Sequence, residues 1–504
     1  MRISREPKAD RRVRVLMLGW EYPPRFAGGL GKACQGLAQG LAKQGAQVFF
    51  VLPSFPERVT EQRLEVIGAM EALMESGWDP AVEPWGPGTA AAGAPHLSPS
   101  PLLASGVSVI QSQARLFPYG KPADEEQAPP WSRDVGGGTP GIKSGPLTGA
   151  ITGGTLANAK GAPQAARQFG RKVDLKTVSV REVSREIYGK NLWQEIERFC
   201  ITVRHLAETH EVDVVHAHDW MTFPAAFEFS RMTGAPVFLH VHATEYDRSG
   251  ENVNNEIFRI ERDGFRSAAH IFAVSRYTAG IIERLYGVHR KKISVVHNAP
   301  EEDARHLLES PLSPRKPQVV FLGRLTFQKG PDHFLRAAAL AAQADAEARF
   351  VFCGTGDMLD KLRSMAHRLG IEGRVHFAGF VEPAQVDDIL RESRVLVMPS
   401  VSEPFGLVAL EAIHCGIPVI ISKQSGVREV LPRALQVDFW DHDKLADQIL
   451  AALRLPELSR QLVEEGMTSI QRLSWDDSAR KAMDAYRNHL GRTFAQAIEG
   501  RHGR

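Results

Sequence analysis

Residues 13–53 read VRVLMLGWEYPPRFAGGLGKACQGLAQGLAKQGAQVFFVLP, and this stretch predicts the fold. Residues 13–18 are a short, mostly apolar run that ends at Gly19, the pattern of a buried strand. A glycine-rich turn, FAGGLGK, precedes a helical stretch, and AQVFFVL is a second apolar run that ends at a proline. A strand, a glycine turn, a helix and a second strand in this order open a parallel α/β sheet.

The C-terminal half repeats this alternation. Its predicted strands are QVVFLGRL, RFVFCGTG, RVHFAGFV, RVLVMPS and IPVIIS, most of them followed by a loop and a helical segment. We therefore predict the α/β class, with two doubly wound, Rossmann-like domains that face each other across a cleft. Ligands of such sheets bind outside the carboxyl ends of the strands, so the polar residues that follow each strand are the candidate site.

The composition changes between about residues 80 and 170, where EPWGPGTAAAGAP and DVGGGTPGIKSGP are typical segments. Because they contain few large apolar residues, they cannot offset the entropy of ordering, and we predict a long mobile insertion with one strand at 107–110. A passive loop is expected here rather than a lid. The predicted organisation is a disordered start (1–12), an N-terminal domain with the insertion (13–300), a linker (301–316), a C-terminal domain (317–475), a helix (476–491) and a tail (492–504).

Composition also argues against several classes of protein. The 504 residues include 61 basic and 59 acidic side chains, a net charge of +2, which gives no reason to expect nucleic acid or an anionic membrane as a partner. Four widely spaced cysteines argue against a disulfide framework and favour a reducing compartment. No apolar run approaches the length of a membrane span or the core of a signal peptide, so we expect a cytoplasmic location.

Three loops carry features suited to a nucleotide diphosphate. Gly28 and Gly29 follow the first strand and open a helix, where free amide groups and the helix dipole favour an anion. Arg324 and Lys329 follow the strand VVFL in GRLTFQKG and can converge on two phosphates. Gly354 marks a further strand-to-helix turn that could line the nucleotide. Tight turns and solvated surface cations explain the same residues, and both interpretations stay open at this point.

Histidines end two strands of the first domain. His216 and His218 in HAHDW alternate, as do His240 and His242 in HVHATE, so each pair projects from one face of its strand. We expect no metal site, because no carboxylate completes a ligand set, and zinc is the minor alternative. Structural roles are predicted for His216 and His240, while His242 and Asp219 are expected nearer the cleft.

The segment VSEPFGLVALEAIHCGIPVI holds two glutamates eight positions apart. Glu411 lies in an apolar helix, where a charge has little structural use, and a carboxylate can accept hydrogen bonds from both hydroxyls of a ribose. Glu403 lies at the entry of the same helix, where it would meet the hydroxyls of a sugar attached to the nucleotide. The amides of Phe405, Gly406 and Leu407 open the helix and suit a diphosphate.

These motifs resemble, in the same order, those of the retaining, nucleotide-sugar-dependent glycosyltransferases with the GT-B fold (glycosyl transferases group 1), close to the bacterial glycogen and starch synthases. The resemblance rests on WEYPPRFAGGLGK, HAHDW, GRLTFQKG and SEPFGLVALEA, followed by PVI and SGVREV, and covers about residues 13–490. The chain reads FAGGL where glycogen synthases carry KTGGL, and HNAPEED where the family has HNGVD.

The resemblance implies roles at the matching positions. Glu403 would contact the donor sugar near the reacting carbon and Glu411 would hold the ribose. Arg324 and Lys329 would stabilise the diphosphate as it leaves. The other matching positions are the active-site histidine and aspartate, a cleft asparagine and the glycine loop that the diphosphate approaches: His242, Asp219, Asn298, Gly28 and Gly29.

The sequence therefore predicts an enzyme, a hexosyltransferase that moves a unit expected to be glucosyl from a UDP- or ADP-sugar to an acceptor hydroxyl with retention. No cofactor is required by this scheme. The acceptor is expected to be a carbohydrate such as an α-glucan, and the alternatives are another polysaccharide, a lipid or a small molecule. A sugar-nucleotide epimerase and a non-catalytic nucleotide-sugar-binding protein are the alternatives to glycosyl transfer.

Overall fold

The computed structural model describes residues 12–23, 28–54, 59–61, 63–69, 192–300 and 316–502. Within these ranges the chain forms two β-sheets, one in each half of the sequence, with helices between the strands. The predicted α/β class with two doubly wound domains is confirmed.

The first sheet consists of β1 (Arg14–Leu18), β2 (Gln47–Leu52), β3 (Val59–Glu61), β4 (Leu64–Gly68), β5 (Val214–His218), β6 (Val237–Val241), β7 (His270–Ala273) and β8 (Ile293–Val295). Their order across the sheet is β3-β4-β2-β1-β5-β6-β7-β8. Neighbouring strands are parallel, except that β3 and β4 pair antiparallel.

The second sheet consists of β9 (Gln318–Leu322), β10 (Arg349–Cys353), β11 (Val375–Gly379), β12 (Val395–Met398), β13 (Val419–Ser422) and β14 (Leu435–Val437). Their order is β11-β10-β9-β12-β13-β14, and all neighbours are parallel. Parallel sheets are covered on both faces, which is why most of these strands read as continuous apolar runs.

Helices cover both faces of each sheet. On one face of the first sheet Cys34 and Leu37 pack with Met17, and on the other face Phe199 packs with Leu18. The helices of the first half are α1 (Gly29–Lys43), α2 (Leu192–Thr209), α3 (Phe223–Thr233), α4 (Glu245–Ser249), α5 (Asn255–Ser267) and α6 (Arg276–Tyr286). Those of the second half are α7 (Pro331–Ala344), α8 (Leu359–Arg368), α9 (Pro383–Glu392), α10 (Leu407–His414), α11 (His442–Arg454), α12 (Pro456–Ile470) and α13 (Trp475–His502).

The strand order of each sheet reverses at one point, between β1 and β5 in the first sheet and between β9 and β12 in the second. The loops that leave two such strands diverge to opposite faces and open a crevice at the carboxyl edge. The loops after β1 and β5 carry Gly28, Gly29 and Asp219. The loops after β9 and β12 carry Arg324 and Glu403. The topology therefore brings these five predicted site residues to the two reversal points.

The last helix, α13, returns to the first domain and packs against α1. An added Cβ on Gly36 of α1 would lie 2.2 Å from Trp475 Cε2, so the indole occupies the space that the glycine leaves. Tyr486 is fully buried further along α13, with its ring centroid 4.8 Å from that of Phe238. The glycine at position 36 and the rings of Trp475 and Tyr486 thus dock α13 on the first domain.

The end of α13 differs from the prediction. The sequence predicts a helix that ends at residue 491 and a tail over 492–504, whereas the backbone stays helical to His502. No proline follows Gly491, and a single glycine is tolerated within a helix at modest cost. The helix therefore continues into the segment predicted as a tail.

Several predictions concern residues outside the described ranges. These are the insertion at 80–170 with its strand at 107–110, the start of the chain before Arg12, and the linker before Lys316. They stay predictions, as do the domain boundaries. Among the described residues no helix is both long and apolar enough to cross a membrane.

The packing of Gly36 on Trp475 generates a test of the docking of α13. Gly36→Ala should lower the free energy of unfolding by about 1–3 kcal/mol, because its Cβ overlaps the indole and overpacking outweighs the better helix propensity of alanine. Gly491→Ala is the matched control, since nothing lies within 4 Å of its added Cβ. Denaturant unfolding followed by circular dichroism measures both variants. A Gly36→Ala protein as stable as the wild type would contradict the packing described here.

Candidate active site

Glu403 is a buried carboxylate in the loop after β12. Its side chain is 7% exposed, and its Oε2 accepts hydrogen bonds from Lys329 Nζ at 2.7 Å and from Ser400 Oγ at 3.0 Å. Lys329 lies on a short 3₁₀ turn, Phe327–Lys329, that follows β9. The contact therefore joins the two loops at the reversal point of the second sheet. Two predicted site residues touch each other, and the cation offsets part of the cost of burying the carboxylate.

The N-terminus of α10 opens toward the first domain. Gly406 has a φ of +107°, a conformation that other residues rarely adopt, and it precedes the first helical residue, Leu407. Phe405 beside it is buried. An added Cβ on Gly29, at the start of α1, would lie 3.8 Å from Leu407 Cδ1. The N-termini of α1 and α10 thus approach each other across the cleft, and both carry the positive end of a helix dipole.

Glu411 also faces the cleft, where it has a partner that the sequence analysis did not assign. Its Oε1 accepts a hydrogen bond at 2.9 Å from Nζ of Lys32, which lies in the first turn of α1 in the other domain. The two side chains are 30% and 27% exposed, respectively. A pair this accessible to water stabilises the protein by about 0.2–1 kcal/mol. The contact crosses the cleft, but it is weak enough that Lys32 and Glu411 can each exchange the other for a stronger partner.

Arg324 and Gly354 lie at the neighbouring strand ends. Arg324 is exposed, and its Nη2 lies 3.5 Å from Oε1 of Gln328 in the same loop. Gly354 has a φ of +135°, and an added Cβ would lie 2.0 Å from the carbonyl oxygen of Gly323. Close packing of two loops therefore explains why residue 354 is glycine. A role of either residue toward a nucleotide stays a prediction.

Asp219 shapes the end of β5. It is the non-glycine residue with a positive φ, +58°, in the described part of the chain, a conformation that costs of order 1 kcal/mol or more. Its Oδ1 accepts hydrogen bonds from the backbone N–H groups of His242, at 2.7 Å, and Ala243, at 3.4 Å. Burial raises the pKa of Asp219 to about 6. The carboxylate therefore ties the turn after β5 to the turn after β6 and places His242.

The four histidines form a buried stack on one face of the sheet, beneath α1 and α13. His218 Nδ1 and His242 Nε2 are 2.9 Å apart, and His216 Nε2 and His240 Nδ1 are 3.3 Å apart. His216 Nδ1 also bonds the hydroxyl of Tyr486 on α13. These contacts give His216 and His240 the structural surroundings that were predicted for them. His218 had no predicted role, and the structure shows it supporting the ring of His242.

Burial keeps this stack uncharged. Desolvation lowers the pKa of His242 to about 3 and holds the pKa values of His216, His218 and His240 well below their usual range, with repulsion between neighbouring imidazoles as a smaller cause for these three. His242 is therefore neutral near pH 7. It can donate or accept a hydrogen bond there but cannot supply a positive charge.

Within the described ranges, two groups of side chains that include these histidines lie close enough together to hold a metal ion. Cys34, His218 and His242 each offer a ligand atom within 4.8 Å of the others, as do His216, His218 and His240. Four of the imidazole nitrogens bond one another in two pairs, whereas His218 Nε2 and His240 Nε2 are buried without a hydrogen-bond partner among the described residues. The two pairs explain the close spacing of the rings, and the expectation that no metal ion binds here stays a prediction.

Asn298 lies after β8 and is 5% exposed. Its Oδ1 is buried and has no hydrogen-bond partner among the described residues. A buried amide oxygen without a partner is unfavourable, so this position has capacity for a further donor. The prediction that Asn298 contacts a ligand stays open.

One set of functional contacts was missed by sequence reasoning. Glu429, in the second domain, accepts hydrogen bonds from the backbone N–H groups of Arg276 and Tyr277 at the start of α6, each at 2.9 Å. It also bonds His297 Nε2 at 3.1 Å. The carboxylate thus caps a helix of the other domain. The motif SGVREV contains Glu429, but nothing in the local sequence identifies the partner.

Two further contacts fix the loop around Glu403 from the first domain. Ser402 Oγ donates to Asp247 Oδ1 at 2.5 Å, and Ser275 Oγ donates to the carbonyl oxygen of Pro404 at 2.6 Å. All four residues are buried or nearly so. The residues on either side of Glu403 therefore belong to the interface between the two domains.

The neutral histidine stack generates a pH prediction. Unfolded histidines bind protons below about pH 6.5, whereas the folded stack resists them, so stability present above pH 6.5 is lost as the pH falls. Each imidazole contributes up to about 1.4 kcal/mol per pH unit to this loss. His240→Phe keeps a ring in the stack and should make the dependence of the urea midpoint on pH shallower between pH 6.5 and 4.5. His376→Phe, at an exposed position, is the control. If the urea midpoint depends on pH with the same slope in the wild type and in both variants, the prediction is contradicted.

Comparisons with known proteins agree with this architecture. The family models for the starch synthase catalytic domain, glycosyltransferase family 4 and glycosyl transferases group 1 match residues 14–117, 158–303 and 305–468, in that order. Sucrose-phosphate synthase from Thermosynechococcus elongatus has a similar structure, with a TM-score of 0.60, 16% identity, and coverage of 95% of this chain and 100% of that one. WaaG, a glycosyltransferase of lipopolysaccharide biosynthesis, has a TM-score of 0.55 and 13% identity. The match covers 93% of this chain and 98% of WaaG.

Sequence relatives carry related names. An uncharacterised glycosyltransferase of Methanocaldococcus jannaschii is 27% identical over 371 residues, 67% of this chain and 95% of that protein. A D-inositol 3-phosphate glycosyltransferase of Segniliparus rotundus is 27% identical over 57% of this chain and 68% of its own length. The glycogen synthase of Mycobacterium tuberculosis is 28% identical over 44% of this chain and 54% of its own length. Together with the fold, these findings show a glycosyltransferase enzyme with the GT-B fold, whose C-terminal half matches the group 1 model and whose sequence is similar to that of glycogen and starch synthases.

Proposed function

We propose that this glycosyltransferase moves a hexosyl unit, glucosyl in the first instance, from a UDP- or ADP-sugar to an acceptor hydroxyl with retention of anomeric configuration. The observation that carries the proposal is the contact between Lys329 and Glu403 beside the open N-terminus of α10. It puts a cation, a carboxylate and free amides at the reversal point of the second sheet, where ligands of such sheets bind.

The nucleotide half of the donor is assigned to the second domain. Glu411 accepts hydrogen bonds from the ribose hydroxyls. The diphosphate lies between the N-termini of α10 and α1, near Gly28 and Gly29, where helix dipoles favour an anion. Arg324, exposed on the adjacent loop, reaches the same phosphates. Gly354 and Asn298 line the edges of this space.

The sugar lies between Glu403 and the first domain. Glu403 accepts hydrogen bonds from its hydroxyls, and the hydrogen bond from Lys329 holds that carboxylate in place. His242 is neutral, so it bonds the sugar without adding positive charge near the reacting carbon. Asp219 acts indirectly, because its Oδ1 is already occupied by the amides that position His242.

The reaction breaks the bond between the anomeric carbon and the diphosphate oxygen and forms a bond from the same carbon to the acceptor oxygen. The acceptor proton leaves with the diphosphate. Charge builds on the departing phosphate, and preorganised cations and amides that face it lower the barrier. Lys329, Arg324 and the amides of α10 supply this positive charge, and the proposed step uses no metal ion or cofactor.

The proposed activity is tested by a screen followed by a transfer assay. UDP, ADP, GDP and their glucose conjugates are first compared by thermal shift, and the best donor is then incubated with and without an acceptor. An α-glucan and D-inositol 3-phosphate are the two acceptors suggested by the relatives. We expect an acceptor-dependent α-glycoside, whose configuration is read by NMR. Conversion of the nucleotide sugar without an acceptor would instead support an epimerase, and binding without turnover a sensor.

Lys329→Ala should lower kcat/KM by about 100- to 1,000-fold, because it removes charge that faces the leaving group. Lys316→Ala is the matched control, since Lys316 also pairs with a glutamate at 2.6 Å but on the exposed surface, and it should leave activity unchanged. Initial rates with saturating acceptor measure both variants.

The loss of Lys329 also leaves Glu403 as an unpaired buried carboxylate, which is destabilising. The double variant Lys329→Ala/Glu403→Gln removes that charge and should regain thermal stability without regaining activity. Near-wild-type rates in either variant would overturn the assignment of Lys329.

A further inference from the structure

We propose that Lys32 is a donor-binding residue that leaves Glu411 and binds the donor's diphosphate when a nucleotide sugar enters. The inference rests on the proposed function, since it concerns the same cleft. It adds a cation from the first domain to a diphosphate subsite whose other proposed cations, Arg324 and Lys329, come from the second. It also gives a functional role to the ion pair between Lys32 of α1 and Glu411 of α10.

The position of Lys32 places its ammonium group at the predicted ribose subsite. Its Nζ lies 2.9 Å from Glu411 Oε1, the distance of a direct charged hydrogen bond. A carboxylate that holds a vicinal diol uses both oxygens, one for each hydroxyl. The ammonium group and the ribose therefore compete for the same oxygen, and binding of the ribose displaces Lys32.

The diphosphate subsite lies within reach of the displaced side chain. Lys32 is in the first turn of α1, and helical side chains point back toward the N-terminus of their helix. That N-terminus is the glycine turn at Gly28 and Gly29, and Gly29 approaches Leu407 at the start of α10. The flexible four-carbon stem of lysine lets Nζ move from Glu411 to this gap by side-chain rotation alone.

Charge balance favours the exchange. In the structure each carboxylate has a lysine, Lys32 on Glu411 and Lys329 on Glu403. A diphosphate brings further negative charge next to both carboxylates. Neutral hydroxyls can take the place of Lys32 on Glu411, whereas the phosphates require a cation. The exchange keeps every charged group paired, because the pair that breaks is accessible to water and weak.

The proposal predicts effects of opposite sign on two ligands. For a nucleoside, which has the ribose but no phosphate, Lys32 is only a competitor at Glu411, and removing it should leave affinity unchanged or raise it several-fold. For the nucleoside diphosphate, the same change removes a charged hydrogen bond, and affinity should fall about 10- to 100-fold. A merely structural role of Lys32 would weaken both ligands alike.

The experiment compares Lys32→Met, which keeps the stem, with Lys43→Met at the other end of α1 as the matched control. Lys32→Arg keeps the charge and should retain diphosphate affinity within about threefold of the wild type. Dissociation constants for UDP and ADP, and for uridine and adenosine, are measured by ligand-detected NMR on the full chain. Thermal unfolding of each variant confirms that the fold is intact.

The outcomes separate this inference from the proposed function. Loss of diphosphate binding in Lys32→Met, with nucleoside binding kept or improved and Lys43→Met unaffected, supports the inference. Equal loss of both ligands, or no loss of either, overturns it. If Lys329→Ala loses diphosphate affinity while Lys32→Met does not, the proposed function stands and the inference fails. If the wild type binds none of the four ligands, both fail.

Discussion

The contact between Lys329 and Glu403 is the interaction on which the ligand-facing edge of the second domain depends. Without the lysine, the structure would hold a lone carboxylate that is 7% exposed, and breaking a buried pair of this kind typically costs about 3–5 kcal/mol. Backbone bonds hold the same loop: the N–H of Glu403 donates to Gln424 and the N–H of Gly426 donates to Glu403, at 2.9 and 2.8 Å. The carboxylate is thus fixed before any ligand arrives.

The fixed loop also connects the two domains. Residues on either side of Glu403 bond Asp247 and Ser275 of the first domain, and Glu429 caps α6 from the second. A change in the angle between the domains would therefore move the loop that holds Glu403, the carboxylate proposed to bind the sugar. Glycosyl transfer between two bound substrates needs such coupling, because the acceptor and the donor must meet within reacting distance.

The residues that sequence reasoning found and those it missed differ in what they depend on. Glu411 stood out because a charge within an apolar helix conflicts with local packing, whereas Lys329 and Glu403 were identified by their positions in loops that follow predicted strands. Lys32 follows a glycine turn and looks like an ordinary helix cation, and Glu429 looks like a surface charge. Their partners, Glu411 and the amides at the start of α6, lie in the other domain, so no local pattern could reveal them.

Asp219 was identified from the sequence, but the structure gives its side chain a different task from the one expected. The motif placed it in the site, but the structure uses its carboxylate to hold backbone amides at the end of β6. A side chain's type predicts which bonds it can form, and its neighbours decide which of them it does form. The helical extension to His502 is a similar case, because it packs on the distant helix α1 through Trp475.

The sequence by itself determined the two sheets, the loops that carry the polar groups and the order of the motifs. These follow from the spacing of apolar residues and the position of glycines, which act over a few neighbouring residues. Only the tertiary structure decided which lysine meets which glutamate, how α13 closes the first domain and which residues join the two halves. Those contacts depend on how separately folded surfaces pack, and in the pair of Lys32 and Glu411 the partners are 379 residues apart in the chain.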